Sequence, residues 1–291
     1  MSIAGGFAQA ALKTGQEFGC NAMQIFTKSP RSRFVKPIDP QDANEFKAYC
    51  AQYKIQHVVA HSSYLLNFGK PLAQVEWALK DILLDFERLH ILGGHGVVVH
   101  IGKSLEGERA EAIKNVVENA KKIVDKTEHF SEKSSHGSLG MQYILENTAG
   151  QGTEIGFQLE ELGQIWNALK GFSPRLKSCL DTAHIWAAGY DISTPAAVAK
   201  TLKTYDQLIG IKTLSCFHFN DSKKALASRV DRHENLGLGT IAIEGLAAIA
   251  QFAEQNSIPL ILETPDGEIK ATAKGRSHLD DIKIVREKFF K

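Results

Sequence analysis

Short apolar runs alternate with longer amphipathic stretches along the whole chain. The short runs carry the β-branched and aromatic residues of buried strands: Met23 to Phe26, His57 to Ala60, Val97 to Val99, Tyr143 to Leu145, Lys177 to Leu180, Cys216 to Phe219 and Leu260 to Leu262. Between them the apolar spacing changes to that of helices. Leu72, Val75, Leu79, Ile82, Leu83, Phe86 and Leu89 keep one face apolar until Gly93-Gly94 stops it, and Ala110, Ile113, Val117, Ala120 and Val124 repeat the pattern. Asp39-Pro40 and Thr194-Pro195 each read as an N-cap followed by proline at the first helical position, and a last helix begins near Ser277. Strands alternating with helices predict α/β architecture with a parallel sheet. With no low-complexity linker or break in composition, the pattern predicts one domain over residues 1–291.

Composition narrows this picture. A chain of 291 residues, 43% hydrophobic and 23% charged, has the length of a (β/α)8 barrel. No apolar run approaches the roughly 18 residues needed to span a bilayer, and Met1 to Gly19 lacks the basic start and apolar centre of a signal peptide. The expectation is a monomer with no membrane partner, in the cytosol or, in a nucleated cell, the nucleus. Cys20, Cys50, Cys179 and Cys216 form no CxxC pair, which argues against a thiolate zinc site and a disulfide framework. A net charge of +1 excludes a globally basic nucleic-acid binder, so a polyanion would need a local patch.

The chemistry gathers at the strand ends. His61, His100, Glu146, Asp181, His218 and Glu263 follow six consecutive predicted strands, and in a closed barrel those ends converge on the mouth where active sites lie. The stretch Cys216 to Gly239 adds Asp221 and a spaced pair, Asp231 and His233, beside Lys223, Lys224, Arg229 and Arg232. It reads as a metal and phosphate site. In an extended segment Asp231 and His233 leave the same face, with Arg232 on the other. With His184, three residues after Asp181, the candidate ligands are five imidazoles and four carboxylates. Nitrogen and oxygen donors without thiolate suit zinc or manganese in hydrolytic work. Three divalent cations would exceed the four negative charges of Glu146, Asp181, Asp231 and Glu263 by about two, and such a site attracts phosphate.

HSSYLLN at His61, LENTAGQG at Leu145, CLDTAHIWAAGYD at Cys179, HFNDSKKALASRVDRHENLGLG at His218 and LILET at Leu260 together resemble the motifs of the endonuclease IV family of apurinic/apyrimidinic endonucleases. The resemblance runs over nearly the whole chain and implies a (β/α)8 TIM barrel. It implies three zinc ions, with manganese possible at one site: His61, His100 and Glu146 for the first, Glu146 bridging to Asp181, His218 and Glu263 for the second, and His184, Asp231 and His233 for the third. Glu146, Glu263, Asp181 and His218 would be the catalytic set. The implied reaction is hydrolysis of the phosphodiester 5′ to an abasic site in duplex DNA, leaving a 3′-hydroxyl, together with trimming of blocked 3′ ends. Arg31, in TKSPRSRF, matches a residue that enters the duplex, and Tyr64 and Leu65 match residues that wedge at the lesion. Lys28, Arg33, Lys36, Lys103 and Arg232 are candidate phosphate contacts.

Two departures accompany the match. Ser62 stands where the family often has aspartate, which alters support of His61 without removing a ligand. The family also opens with a strand before SxAGG, whereas here SIAGG begins at Ser2, so the first barrel strand is expected to be truncated or missing. Two other readings use the same residues. A mononuclear sugar isomerase or epimerase needs only Glu146, Asp181, His218 and Glu263, and a catalytically inactive metal-stabilised DNA-binding protein needs no turnover.

Overall fold

The computed structural model describes residues 1–29, 35–130, 140–267 and 276–290. Seven strands follow one another in the sheet in sequence order: β1 Ala22–Ile25, β2 His57–His61, β3 Gly96–His100, β4 Gln142–Glu146, β5 Leu176–Asp181, β6 Leu214–His218 and the last, Leu260–Ile261. A two-stranded ribbon, β7 Asp221–Ser222 with β8 His233–Glu234, intervenes in sequence, so the last strand is β9. The pairs β1–β2, β2–β3, β5–β6 and β6–β9 are parallel. All seven expected strands are present, with ends shifted by a residue or two. Among the described residues no strand precedes the first helix, α1 Phe7–Leu12.

The chain forms two compact units, and the division falls inside β4 and β5: unit 1 comprises Met1–Leu145 and Leu169–Lys177, unit 2 Glu146–Ala168 and Ser178–Lys291. In unit 1, α2 Pro40–Gln52, α3 Glu76–Leu92 and α4 Arg109–Lys126 alternate with the strands. Asp39 caps α2 by accepting from the Gln41 amide at 2.9 Å, and Gly93 ends α3 in the left-handed region at φ 74°. Leu72 departs from the expected apolar face of α3. It lies in a separate 3-10 turn, Leu72–Gln74, and is exposed.

The inner face of α4 is less apolar than its spacing suggests, since Asn115 and Asn119 are buried on it. Asn119 donates to the carbonyls of Phe68 (2.8 Å) and Lys70 (2.9 Å), and Asn115 to that of Gly69 (3.1 Å). These bonds give the backbone of a loop the partners that regular structure would otherwise supply. The same loop meets the one after β3 at Gly102 (φ 134°), where a Cβ would lie 2.7 Å from Asn67 Oδ1.

Unit 2 contains α5 Leu159–Leu169, apart from its last residue, with α6 Thr182–Ala187, α7 Pro195–Leu208, α8 Ile243–Gln255 and α9 His278–Ile284. Thr194 caps α7 as the sequence anticipates, and the last helix starts near Ser277 as expected, with Ser277 forming a capping box with Asp280. Phe217 and Phe219 meet Phe252 and Phe289 edge-on at ring distances of 6.5 and 6.2 Å, which packs the sheet against α8 and the end of the last helix. Among the described residues no helix is long and apolar enough to cross a membrane.

Candidate metal centre

Five of the six strand-end candidates are the last residues of their strands: His61, His100, Glu146, Asp181 and His218; Glu263 follows β9 by two residues. Within unit 2, seven candidate ligands meet. His218 Nδ1 lies 2.8 Å from Glu146 Oε1, 3.3 Å from Glu263 Oε2 and 3.9 Å from Asp181 Oδ2. One donor atom from each of these four residues falls within 4.8 Å of the others. A second cluster, with Asp181 in common, joins His184 and His233. There Asp231 sits 3.4 Å from His184 Nε2 and 3.2 Å from His233 Nε2. The spaced pair Asp231/His233 therefore does face one centre.

Local structure explains how these side chains are held. Asp181 ends β5 and caps α6, accepting from the His184 amide at 2.9 Å, so one carboxylate both faces the centre and sets the first turn that carries His184. Its backbone amide donates to Asn147 Oδ1 (2.7 Å), and its other oxygen accepts from Asn220 Nδ2 (2.7 Å). Asn220 Oδ1 in turn accepts from the Glu263 amide at 2.8 Å. Asn147 and Asn220 stand in ENT and HFND, but nothing in the spacing distinguishes them from ligands or loop residues.

A carbonyl only accepts, so a ring nitrogen facing one must carry the proton. His184 Nδ1 faces the Asn147 carbonyl at 2.9 Å, and His233 Nδ1 the Glu263 carbonyl at 3.3 Å. Nε2 is then the atom of each that could hold a metal ion. His218 is the reverse, with Nδ1 turned to the carboxylates.

The electrostatics fit a cation. Burial alone would lower the pKa of His218, but Glu146 and Glu263 hold it well above the usual imidazole range. His184 is likewise raised by Asp181, Asp231 and Glu146 against its own burial. His233 is pushed up to about 9: burial opposes the rise, and Asp181 and Asp231 drive it. Burial would raise Asp231, yet His184 and His233 pull it below the ordinary carboxylate range. The carboxylates thus attract positive charge to the positions where a divalent ion would displace protons.

In unit 1, the rings of His61 and His100 lie 5.3 Å apart at the ends of β2 and β3. His61 Nδ1 donates to the Ser62 carbonyl at 2.7 Å, which again makes Nε2 the atom that could hold a metal ion. Position 62 supports His61 through its backbone carbonyl, not its side chain. Tyr64 packs 5.1 Å from His61, 5.8 Å from His100 and 5.7 Å from Phe26, yet stays 57% exposed, and Leu65 is 61% exposed. Two apolar side chains so presented suit insertion into a partner.

The other candidates divide. Arg31 and Arg33 lie outside the described residues. Arg232 is exposed, with its guanidinium bonded to the Asp231 carbonyl. Lys36 and Lys103 are exposed. Lys28 corrects the sequence reading: it is buried, its ammonium 2.5 Å from Asp85 and 3.2 Å from Asp81 on α3, and so committed to the interior instead of a phosphate. Asp221, which stands in the same stretch as Arg232 but is not one of the candidate ligands, turns both carboxylate oxygens to backbone amides.

Residues 12–285 match the sequence family described as Xylose isomerase-like TIM barrel. A protein described as probable endonuclease 4 from Trichlorobacter lovleyi is 35% identical over 272 residues, 92% of each chain. The crystal structure of endonuclease IV from Thermus thermophilus superposes with a TM-score of 0.77 at 33% identity, covering 93% of this chain and 92% of that one. A D-psicose 3-epimerase from Clostridium cellulolyticum shares the fold alone, with a TM-score of 0.60 at 15% identity over 96% and 84% of the two chains. Matched along nearly its whole length, with its distinctive motifs running through the ligand clusters, the chain belongs to the endonuclease IV branch of the xylose isomerase-like TIM barrel family.

Proposed function

We propose that this protein is a zinc-dependent nuclease that cleaves duplex DNA 5′ to abasic sites, leaves a 3′-hydroxyl and trims blocked 3′ ends. The observation that carries the reading is the gathering of seven nitrogen and oxygen ligands in unit 2 as two clusters that share Asp181. A single ion would need only Glu146, Asp181, His218 and Glu263, as in an isomerase, and would leave His184, Asp231 and His233 unused. The relatives at 35% and 33% identity are an endonuclease 4 and an endonuclease IV by description.

Glu146, Asp181, His218 and Glu263 would hold one zinc and His184, Asp231 and His233 another. His61 and His100 would hold a third, for which the family pattern supplies Glu146. Bound divalent cations would neutralise the phosphodiester and activate water for in-line displacement. The protein's own residues orient the reaction. Carbonyls of Ser62, Asn147 and Glu263 fix the coordinating nitrogens of His61, His184 and His233, and Asn220 ties Asp181 to the Glu263 backbone.

An abasic position stacks weakly, so extruding its sugar costs less than extruding an intact nucleotide by up to a few kcal/mol, which supplies selectivity to an enzyme with little general affinity for DNA. Tyr64 and Leu65 would hold the opened duplex. Incubation of zinc-loaded protein with a duplex carrying one abasic site should give a single nick on its 5′ side, seen by sizing the labelled strand. An intact strand would sink the proposal.

A further inference from the structure

Two buried carboxylates stand beside the ligand clusters without joining them. Asp221, at the start of β7, accepts from the backbone amides of Ser222 (2.7 Å), Gly237 (2.9 Å), Gly239 (2.9 Å) and Ile241 (3.1 Å). A Cβ on Gly239 would lie 2.3 Å from Asp221 Oδ1 and 2.4 Å from the Ser222 carbonyl. The amide thus reaches the carboxylate only because residue 239 lacks a side chain. Asp221 closes the base of the loop that carries Asp231 and His233.

Asp281 on α9 acts from the other side. Its Oδ2 accepts from Asn235 Nδ2 (2.8 Å) and the Thr264 hydroxyl (2.7 Å), and its Oδ1 from the Leu236 amide (3.0 Å). Asn235 follows His233 by two residues and Thr264 follows Glu263 by one. One side chain therefore grips both the loop of the second cluster and the segment that carries a ligand of the first. Further bonds run the same way: Asn235 Nδ2 to the Pro265 carbonyl at 2.9 Å, Arg276 to the Leu236 carbonyl at 2.8 Å, and the His278 ring to the Thr264 carbonyl at 2.7 Å. Three donors converge on Asp281, so its role requires an acceptor at both oxygens. An asparagine in its place, whichever way the amide turned, would set an NH2 group against a donor.

We propose that Asp281, together with Asp221, is a positioning residue of the metal centre: it fixes the spacing between Glu263 and the Asp231–His233 pair, so the ion held by His184, Asp231 and His233 depends on the Asp281 carboxylate and not on the capping of α9. This rests on the multinuclear zinc reading above. Zinc binding to the full chain, followed by chelator competition and elemental analysis, tests it without recourse to activity.

The wild type should release zinc in more than one step. Asp281→Asn should weaken the weakest step by about ten- to a hundredfold, the usual scale for partners that orient metal ligands, and leave the tighter step unchanged. Ser277→Ala removes the cap of the same helix and touches none of the Asp281 bonds, so every step should stay as in the wild type. An Asp281→Asn profile equal to wild type, or the same step lost in Ser277→Ala, overturns the inference. If Asp281→Asn does not fold, Thr264→Val decides, because it removes one of the three donors at nearly constant volume. The same weak step should move, and an unmoved step overturns the inference. One zinc or fewer in the wild type would instead sink the multinuclear reading on which the inference stands.

Discussion

Glu146 is fully buried at the end of β4, where one oxygen lies 2.8 Å from His218 Nδ1 and 3.4 Å from His184 Nδ1. Changing it to glutamine keeps the shape and removes the charge that would face two ions. We expect Glu146→Gln to lower cleavage at least about a hundredfold, equivalent to about 2.7 kcal/mol of barrier, with loss of bound zinc seen by elemental analysis. Near-normal cleavage would show that the bridging role belongs elsewhere. Tyr64 gives the contrasting case. Its ring rests on His61 and His100 but is more than half exposed, so Tyr64→Ala should leave metal content intact and slow duplex cleavage roughly ten- to a hundredfold, the scale of about 1 to 3 kcal/mol for a lost stacking contact. Hydrolysis of a small phosphodiester should change less. Equal slowing of both substrates would mean that the ring serves the metal site instead of the DNA.

At the scale of elements, the loop behind Tyr64 and Leu65 is held by α4 through Asn115 and Asn119. Asn119→Ala leaves two buried carbonyls without their donor, at a cost of about 1 to 3 kcal/mol each at most. The expected result is a lower unfolding midpoint and weaker duplex cleavage at unchanged zinc content. An unchanged midpoint would mean the loop holds itself. These asparagines also show where the sequence stops being legible. The strands and most helix ends could be read because β-branched runs, Asp39-Pro40, Thr194-Pro195 and Gly93 each act within a few residues. The candidate ligands Glu146, Asp181, His218 and Glu263 could be picked out because each stands at or just after a strand end, a position that does not depend on the loops. The supports could not: Asn119 bonds a carbonyl about fifty positions away in sequence, and Lys28 looks like any surface cation until Asp81 and Asp85 arrive from α3. Periodicity carries no such long-range information, and the tautomers of His184 and His218 depend on neighbours that only the fold supplies.

For the whole molecule, the carboxylates and imidazoles of unit 2 are buried or half-buried and lie at short range, so metal and folding should be linked. Ions bound at about a thousand times their dissociation constant add about 4 kcal/mol each to stability. Chelation should therefore lower the midpoint by roughly 10 °C or more, using about 2 to 4 °C per kcal/mol, with recovery on adding zinc. Scanning calorimetry showing the same midpoint with and without chelator would break the link. We also expect a single transition, consistent with one domain, because the division between the two units falls inside β4 and β5 and not in a linker. The position of Asp281 has a further consequence for the protein's synthesis. It comes after every candidate ligand in the sequence, so a nascent chain can have emitted all of His184, His218, His233 and Glu263 and still lack the group that sets two of them in register. Metal capture by a growing chain would then be loose until α9 emerges, and ribosome-bound chains halted before Asp281 should surrender zinc to a competing chelator faster than chains halted well beyond it.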